Sequence, residues 1–305
     1  MMDVIIISWN SREKLRRLLI SLHDQYQAED RLIIIDNGST DGTTDMIKEV
    51  APGAFLIRNH ENLGFCKAVN QGIHASVDEY ILILNSDIVA YRDFIARVKE
   101  GVKQYSKERV GMFGVKMLQA HSNLIDSTGL TLSWAYRFFD RGFGETDNGQ
   151  YDDKKEIFGP CGGCAVYQRV MLEDIREGDE YFDEDFFFLG EDFDVAWRAR
   201  HKGWTARYIP EAICWHERGG SFDQKYRQYL SFRNRYFLLL KNASPRASLP
   251  AIFLLYDFPR LFYLLCTNRY TPKALLELKA QSGKMLAKRK RLLGSTEPLA
   301  HHHPF

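Results

Sequence analysis

The sequence predicts an α/β fold, a mainly parallel sheet flanked by helices, on three observations. Short unbroken apolar stretches at 4–8, 31–35, 55–58 and 80–84 have the length and the Ile/Leu content of strands, the last of them buried on both faces. Segments with apolar residues at helical spacing separate them, so three strand–helix units feed a fourth strand through right-handed crossovers. Polar residues gather just past the carboxyl ends of these strands, where ligands collect in open α/β sheets.

Taken in order, the first strand is followed by Asn10-Ser11-Arg12-Glu13, which caps a helix marked by Leu15, Leu18, Leu19 and Leu22. The second strand ends in Asp36-Asn37-Gly38-Ser39-Thr40-Asp41-Gly42, ahead of a short helix through Met46, Ile47 and Val50. Asp36 stands where a carboxylate can accept hydrogen bonds from a nucleoside, close an Asx-turn, or do both. After the third strand, Asn62-Leu63-Gly64-Phe65 opens a helix through Ala68, Val69, Gly72 and Ile73. The fourth strand, Tyr80-Ile81-Leu82-Ile83-Leu84, stops abruptly on Asn85-Ser86-Asp87. Asp87 can hold a divalent cation there or cap the next turn. A helix over 92–105 and a strand over 110–115 close this half. No G-x-G-x-x-G or Walker A pattern follows any strand, which disfavours a dinucleotide dehydrogenase and a P-loop enzyme.

The second half is less regular. Residues 119–158 mix Gly, Asp, Asn and aromatics, as loops and strands over the sheet's carboxyl edge would. Gly159-Pro160-Cys161-Gly162-Gly163-Cys164 reads as a turn that lets backbone approach a ligand closely, in preference to a zinc half-site or redox pair, because no second cysteine pair stands at metal spacing. Gly190-Glu191-Asp192 reads as a helix start, where acidic groups meet unpaired N–H groups; Asp194 and Arg198, four apart, pair along that helix. Glu191 and Asp192 can both serve as caps, and one of them can face a substrate as a general base. A strand over 204–209 precedes His216, which is either a satisfied structural histidine or a ligand.

Composition bounds what such a site can serve. A chain of 305 residues, 45% hydrophobic and 27% charged, accommodates one large domain and an appendage. The net charge of +1 conceals an asymmetry: 221–305 carries 15 Lys or Arg against 4 Asp or Glu, while 1–220 carries 26 against 36. An acidic body suits metal-assisted chemistry, and a basic, aromatic tail suits an anionic membrane surface or a phosphorylated substrate. Nucleic acid is not an expected partner, and the oligomeric state is left open. The N-terminus enters a strand with no basic n-region or cleavage site, and five cysteines fit a reducing compartment, so a cytoplasmic location is expected. His301-His302-His303 can be non-native and is set aside from metal-site reasoning.

Laid side by side, the motifs resemble those of the inverting family 2 glycosyltransferases of GT-A type, and within them a bacterial rhamnosyltransferase-like group. The matching pieces run in order over about 3–220: Ser8-Trp9-Asn10, the 36–42 segment, Asn62-Leu63-Gly64-Phe65 with Asn70, Leu84-Asn85-Ser86-Asp87, Phe182-Asp183-Glu184 with Gly190-Glu191-Asp192, and His216. The resemblance implies a Rossmann-like nucleotide-sugar-binding half (1–115), an acceptor and catalytic-base half (116–220), and a helical tail (221–305). It implies that Asp36 binds the donor's base or ribose with Trp9 and Asn10 beside it, and extends the donor site to Asn37, Asn62, Gly64, Asn70, Asn85 and Ser86. Gly162, Gly163 and Glu191 fall to the acceptor or sugar pocket. Asp87 looks like the metal-binding carboxylate of the family's Asp-x-Asp, His216 like the histidine that completes coordination of Mg²⁺ or Mn²⁺, and Asp192 like the catalytic base. The first acidic position of that motif is Asn85 here, which supplies only a neutral oxygen. The implied donor is a nucleoside-diphosphate sugar, dTDP-L-rhamnose ahead of UDP-hexoses, and the acceptor a saccharide or lipid-linked saccharide of bacterial surface polysaccharide synthesis.

In the tail, Tyr226, Tyr229, Phe232, Tyr236 and Phe237 with Arg227, Arg233 and Arg235 form a basic aromatic helix, and 249–266 is apolar except for Asp257 and Arg260. Those two charges and Pro259 argue against a span, at roughly 2.5–3.5 kcal/mol for each charge at a bilayer centre. The expectation is an interfacial helix pair on the inner face of the cytoplasmic membrane, aided by Lys284, Lys288, Arg289, Lys290 and Arg291, against a helical cap docked on the body. Two other classes compete: a sugar-nucleotide-forming nucleotidyltransferase, which lacks its Gly-rich, Lys-containing loop here, and a non-catalytic binding or scaffold protein, if Asn85 abolishes metal binding.

Overall fold

The computed structural model describes residues 1–27, 30–133, 135–219, 223–243 and 249–294. The 301–303 histidines named above lie outside them. The first half follows the strand–helix alternation: β1 (Met2–Ser8), α1 (Arg12–Leu22), β2 (Arg31–Asp36), α2 (Thr43–Val50), β3 (Phe55–Arg58), α3 (Phe65–Ala75) and β4 (Tyr80–Asn85). β1 pairs in parallel with both β2 and β4, and β2 with β3, so the carboxyl ends of all four strands share one edge. Their side chains alternate between two cores. Ile5, Ile33 and Ile83 pack with Val69 and Phe182 on one face, while Val4, Ile6, Ile34 and Leu84 pack with Leu15, Leu18 and Phe94 on the other. Helices on both faces are what an all-apolar strand requires.

The rest of the sheet is mixed. β5 (Ile88–Ala90), α4 (Phe94–Gln104) and β6 (Val110–Gln119) are followed by short strands β7 (Ile125–Ser127), β8 (Leu130–Leu132), β9 (Phe138–Asp140) and β10 (Glu156–Ile157), then β11 (Cys164–Gln168), α5 (Arg169–Ile175), α6 (Glu191–His201) and β12 (Thr205–His216). The main order is β10-β12-β6-β11-β4-β1-β2-β3. β6 and β12 are parallel, but β11 inserts antiparallel between β6 and β4. Two expected strands prove longer. The one foreseen over 110–115 runs to Gln119, and that over 204–209 runs to His216 through a register shift between Ile209 and Ile213, where Pro210 has no N–H to donate. His216 therefore closes a strand instead of following one.

The tail comprises α7 (Gln224–Asn242), α8 (Leu249–Ile252), a π-helical turn (Phe253–Asp257), α9 (Phe258–Thr267) and α10 (Thr271–Leu293). α7 buries Tyr229, Phe232 and Phe237 together with Arg233, Arg235 and Lys241, and packs on the body and on α10. The expected lipid-facing role is corrected here for Lys284, Lys288, Arg289 and Arg291. Lys288 is buried and ion-paired with Asp183 and Asp185, Lys284 with Asp185, Arg291 lies 3.7 Å from Glu177, and Arg289 donates to the Ala243 carbonyl. Of the five, Lys290 alone has no such bond recorded among the described residues. The acidic body absorbs most of that charge.

Candidate active site

The chain past β4 is turned by the pairing of β5 with β12, which sets Ile88 opposite His216 and brings the Glu217 N–H to the Asp87 carbonyl at 2.8 Å. Asp87 and His216, 129 positions apart, thus become neighbours. His216 Nε2 stands 3.3 Å from Asp87 Oδ1, a buried oxygen with which it forms an ion pair. The other ring nitrogen, Nδ1, is 2.8 Å from Asp126 Oδ2. Arg218 grips both oxygens of that fully buried Asp126 and reaches Asp140 as well. Burial pulls the His216 imidazole down, but the two flanking carboxylates outweigh it and raise its pKa to about 9. Burial pushes Asp87 up, and the charges of His216 and Lys14 more than reverse this, so it lies below the ordinary carboxylate value.

This pair fits a divalent cation. A carboxylate oxygen whose one close partner is an imidazole nitrogen converges with that nitrogen on the cavity, and the ring is oriented from behind by a second carboxylate, the usual outer support of a metal-bound histidine. Binding would replace the Nε2 proton. Among the described residues no three His, Cys, Asp or Glu side chains converge so as to hold a metal ion together, so two protein ligands leave most positions to ligand oxygens, as is common for Mg²⁺ at phosphates.

Across a cavity of about 330 Å³ stand Glu191 and Asp192, at the first turn of α6. Gly190, at φ 92°, ends the preceding loop and starts the helix. Asp192 accepts hydrogen bonds from the Gly162 N–H (3.0 Å) and the Phe193 N–H (2.8 Å), with no cation bonded to it. Burial raises its carboxyl to about 6, and the Asp140 charge adds to this against the Gly162 bond. Glu191 is buried, its Oε2 has no partner among the described residues, and burial next to Asp192 raises it to about 8. Gly162 lies directly beside both carboxylates: a Cβ there would meet Asp192 Oδ2 at 3.4 Å and Glu191 Oε1 at 3.5 Å, in ordinary van der Waals contact. The cavity thus joins Asn85, Asp87 and His216 on one wall with Gly162, Gly163, Glu191 and Asp192 on the other. A cation locus facing a carboxylate of raised pKa can activate a phosphate leaving group and deprotonate a hydroxyl.

The family model described as Glycosyl transferase family 2 matches residues 3–176, more than half of the chain. The chain belongs to that family. An uncharacterized glycosyltransferase, YfnE of Bacillus subtilis (strain 168), is 35% identical over 98 residues, 31% of this chain and 25% of the relative. The poly-beta-1,6-N-acetyl-D-glucosamine synthase of Staphylococcus aureus (strain COL) is 22% identical over 213 residues, 69% of this chain and 48% of the relative. The glycosyltransferase thus spans about half or less of the length of these curated relatives. Among solved structures, the mannosyltransferase PcManGT from Pyrobaculum calidifontis, in complex with GDP-Man and Mn²⁺, superposes with a TM-score of 0.57 at 15% identity over 96% of this chain and 84% of its own. S. aureus TarS gives 0.57 at 13% identity over 96% and 55%. At such identities the likeness concerns the fold, which is GT-A-like with a C-terminal helical segment.

The other expected donor-site residues of the glycosyltransferase divide sharply. Asn10 and Trp9 lie on the loop after β1; Asn10 is exposed, with φ 47°, and its Oδ1 accepts from the Thr40 N–H at 2.9 Å. A second cavity, of about 480 Å³, runs from Asn10 through Arg12, Lys14 and Asp41 to Asp87, so Asp87 borders both spaces. Asp36 is fully buried, with one oxygen on the Ser39 N–H and the other on the Thr44 hydroxyl: it frames the loop from beneath. Ser86 is buried, with its N–H on the Ile7 carbonyl. Asn37 and Asn62 bond each other and the 63–64 backbone.

Two placements in the donor site need correction. Asn70 spends both donors and its oxygen on the backbone of Tyr181 and Phe182 and on Glu184, tying α3 to the segment before α6. Gly64 lies buried under the Phe187 ring, where a Cβ would come within 2.5 Å, so its smallness serves packing. Both are framework, because their polar or steric capacity is already used.

Sequence reasoning missed Lys14, Asp126, Asp140, Arg218 and the α7 residues that wall the cavity. Lys14 Nζ lies 3.8 Å from Asp87 Oδ2 and donates to the Glu217 and Gly219 carbonyls. Arg227, Ser231, Asn234, Arg235 and Leu238 line the cavity from α7. Asn234 Nδ2 lies within 3.0 Å of the Phe186, Phe188 and Leu189 carbonyls, holding a loop in which Phe187 (φ 64°) and Leu189 (φ 71°) take left-handed conformations. Adjacency of Arg218 to His216 was the sole signal for any of these; the others come from far along the chain.

Proposed function

We propose that this family 2 glycosyltransferase moves a sugar from a nucleoside-diphosphate donor to a hydroxyl of a saccharide or lipid-linked acceptor, with inversion and with Mg²⁺ or Mn²⁺. The observation that carries the reading is that Asp87, His216 and Asp192 border one cavity, the first two converging and the third opposite them. Asp87 Oδ1 and His216 Nε2 would hold the cation, with Asp126 fixing the ring and Arg218 fixing Asp126. A cation bound there neutralises charge that develops on the leaving diphosphate. Asp192, each of whose oxygens is held by one backbone N–H, Gly162 on Oδ2 and Phe193 on Oδ1, removes the acceptor proton from the opposite wall; one displacement then inverts the anomeric centre. The nucleotide occupies the Asn10–Asp41 side, and Asp36 supports that loop from within.

For the donor we propose L-rhamnose from dTDP-rhamnose, on the strength of the motif resemblance, with UDP-hexoses and GDP-mannose as the competing donors. The pathway is bacterial surface polysaccharide synthesis, in the cytoplasm at the inner face of the membrane. Thermal-shift titration of dTDP-rhamnose, UDP-glucose, UDP-N-acetylglucosamine and GDP-mannose with Mn²⁺ tests the choice; a shift with another nucleotide alone rejects dTDP-rhamnose. His216→Ala is expected to raise the Mn²⁺ concentration needed for donor hydrolysis, and an unaltered metal dependence removes His216 as a ligand. Hydrolysis of no donor, with or without Mn²⁺, favours the non-catalytic binding reading.

A further inference from the structure

We propose that the protein lies on an anionic membrane surface through the outward face of the 253–265 segment and the neighbouring apolar positions of α10, with the acceptor cavity held beside the lipid. The surface stands on observations separate from the cavity chemistry; only the nature of the molecule that reaches the cavity rests on the glycosyl-transfer reading.

The segment Pro250–Thr267 is long and apolar enough to cross a membrane, and only 17% of it is buried. Leu255 is 77% exposed, Phe262 65% and Leu254 63%, and Leu276 on α10 is 69% exposed. Exposed large apolar side chains that recur four apart along the segment, at Leu254, Phe258 and Phe262, mark an interaction site. Spanning is opposed by Asp257, which is buried against the body with its oxygens 2.7 and 3.2 Å from Arg235; insertion would strip that pair. The segment therefore keeps one edge on the body and the other outward, the arrangement of a helix lying in a membrane interface.

Charge selects the occupant. Of the nine Lys or Arg in 249–294, Lys284, Lys288, Arg289 and Arg291 are turned to the body, and the two acids, Asp257 and Glu277, are taken by arginines of α7. Arg269, Lys279 and Lys290 are exposed on the same stretch. A two-fold dimer through this face would set like charges against each other, whereas anionic lipid complements them. The inner side of the segment meets the cavity wall directly: Arg260 donates to Ser231 at 3.2 Å and Asp257 holds Arg235, and both partners on α7 line the cavity. An acceptor with an apolar anchor thus reaches the carboxylates without leaving the lipid.

The test is vesicle flotation of the full chain with phosphatidylcholine vesicles, with and without phosphatidylglycerol, beside the triple variant Leu254→Ser, Leu255→Ser, Phe262→Ser. Wild type is expected to float with phosphatidylglycerol vesicles, and the variant at least tenfold less, with donor hydrolysis equal in both. Equal flotation overturns the proposal, as does a wild-type dimer that the variant converts to monomer without any vesicle binding. Should the variant not fold, an environment-sensitive dye on Cys266, the one exposed cysteine, supplies the measurement: a blue shift with phosphatidylglycerol vesicles supports the docking and its absence rejects it. Asp192→Asn should float like wild type, so a failure of the catalytic reading shows separately.

Discussion

Helix α6 carries two carboxylate neighbourhoods within four residues, and they have opposite fates. Asp194 points into the body, where Arg198 bonds it at 2.7 Å, Lys241 at 3.1 Å and Asn242 at 2.9 Å; Lys241 also meets Asp183, which Lys288 holds from the other side. Burial raises Asp183 and Asp194, but these cations reverse the effect and hold both below the usual carboxylate range. Asp192 and Glu191 have comparable burial pressure and no cation, so they are raised. A desolvated acid with counter-ions is a structural group; one without them is poised for proton transfer near neutral pH.

The largest expected effect breaks the second neighbourhood. Asp192→Asn should lower turnover by roughly 10²–10⁴-fold, with donor affinity by calorimetry unchanged. In the wild type, kcat/KM should fall as pH drops through about 6, where the raised Asp192 carboxyl takes up its proton; loss of that limb in residual variant activity confirms the assignment. Breaking the first neighbourhood should instead unfold the protein. Lys241→Met leaves Glu177, Asp183 and Asp194 without their shared cation and should cost about 3–5 kcal/mol in urea unfolding. Because Asp183 and Asp194 are lowered, their contribution is present above the ordinary pKa of 3.8 and is lost as pH falls toward the folded values.

Asn234→Ala is intermediate. It removes the amide that donates to the Phe188 and Leu189 carbonyls next to Gly190, while the Phe186 carbonyl keeps Arg233, and should cost about 1–3 kcal/mol of stability, with kcat reduced more than donor KM, since the loop sets the start of α6 and not the donor pocket. The smallest effect is that of Glu191→Gln. With its pKa raised to about 8, Glu191 is largely a neutral acid at pH 7, which an amide resembles, so activity at pH 7 should stay near wild type. Stability associated with the protonated form is present below the unfolded pKa of 4.5 and lost as pH rises through about 8, so the wild-type Tm should fall relative to the variant between those two pH values and level off above the second. Equal pH dependence of the two would show that Glu191 is already ionised.

Local chemistry determined the parts that the sequence revealed. The periodic apolar runs of β1 to β4 announce strands because both faces of each are buried, and Gly190-Glu191-Asp192 announces a helix start because exposed N–H groups want acidic neighbours. Asp87, His216 and Asp192 could be named from ordered motifs, but a one-dimensional pattern does not say what a side chain touches. Tertiary structure alone decided that β11 runs antiparallel between β4 and β6, that Asp126 stands behind His216, that Asn70 and Gly64 are framework, and that basic residues of α7 and α10 are buried on acids of the body. The reason is physical: desolvation and hydrogen-bond saturation depend on atoms brought together from segments tens to hundreds of residues apart, and these set which polar groups stay free to act.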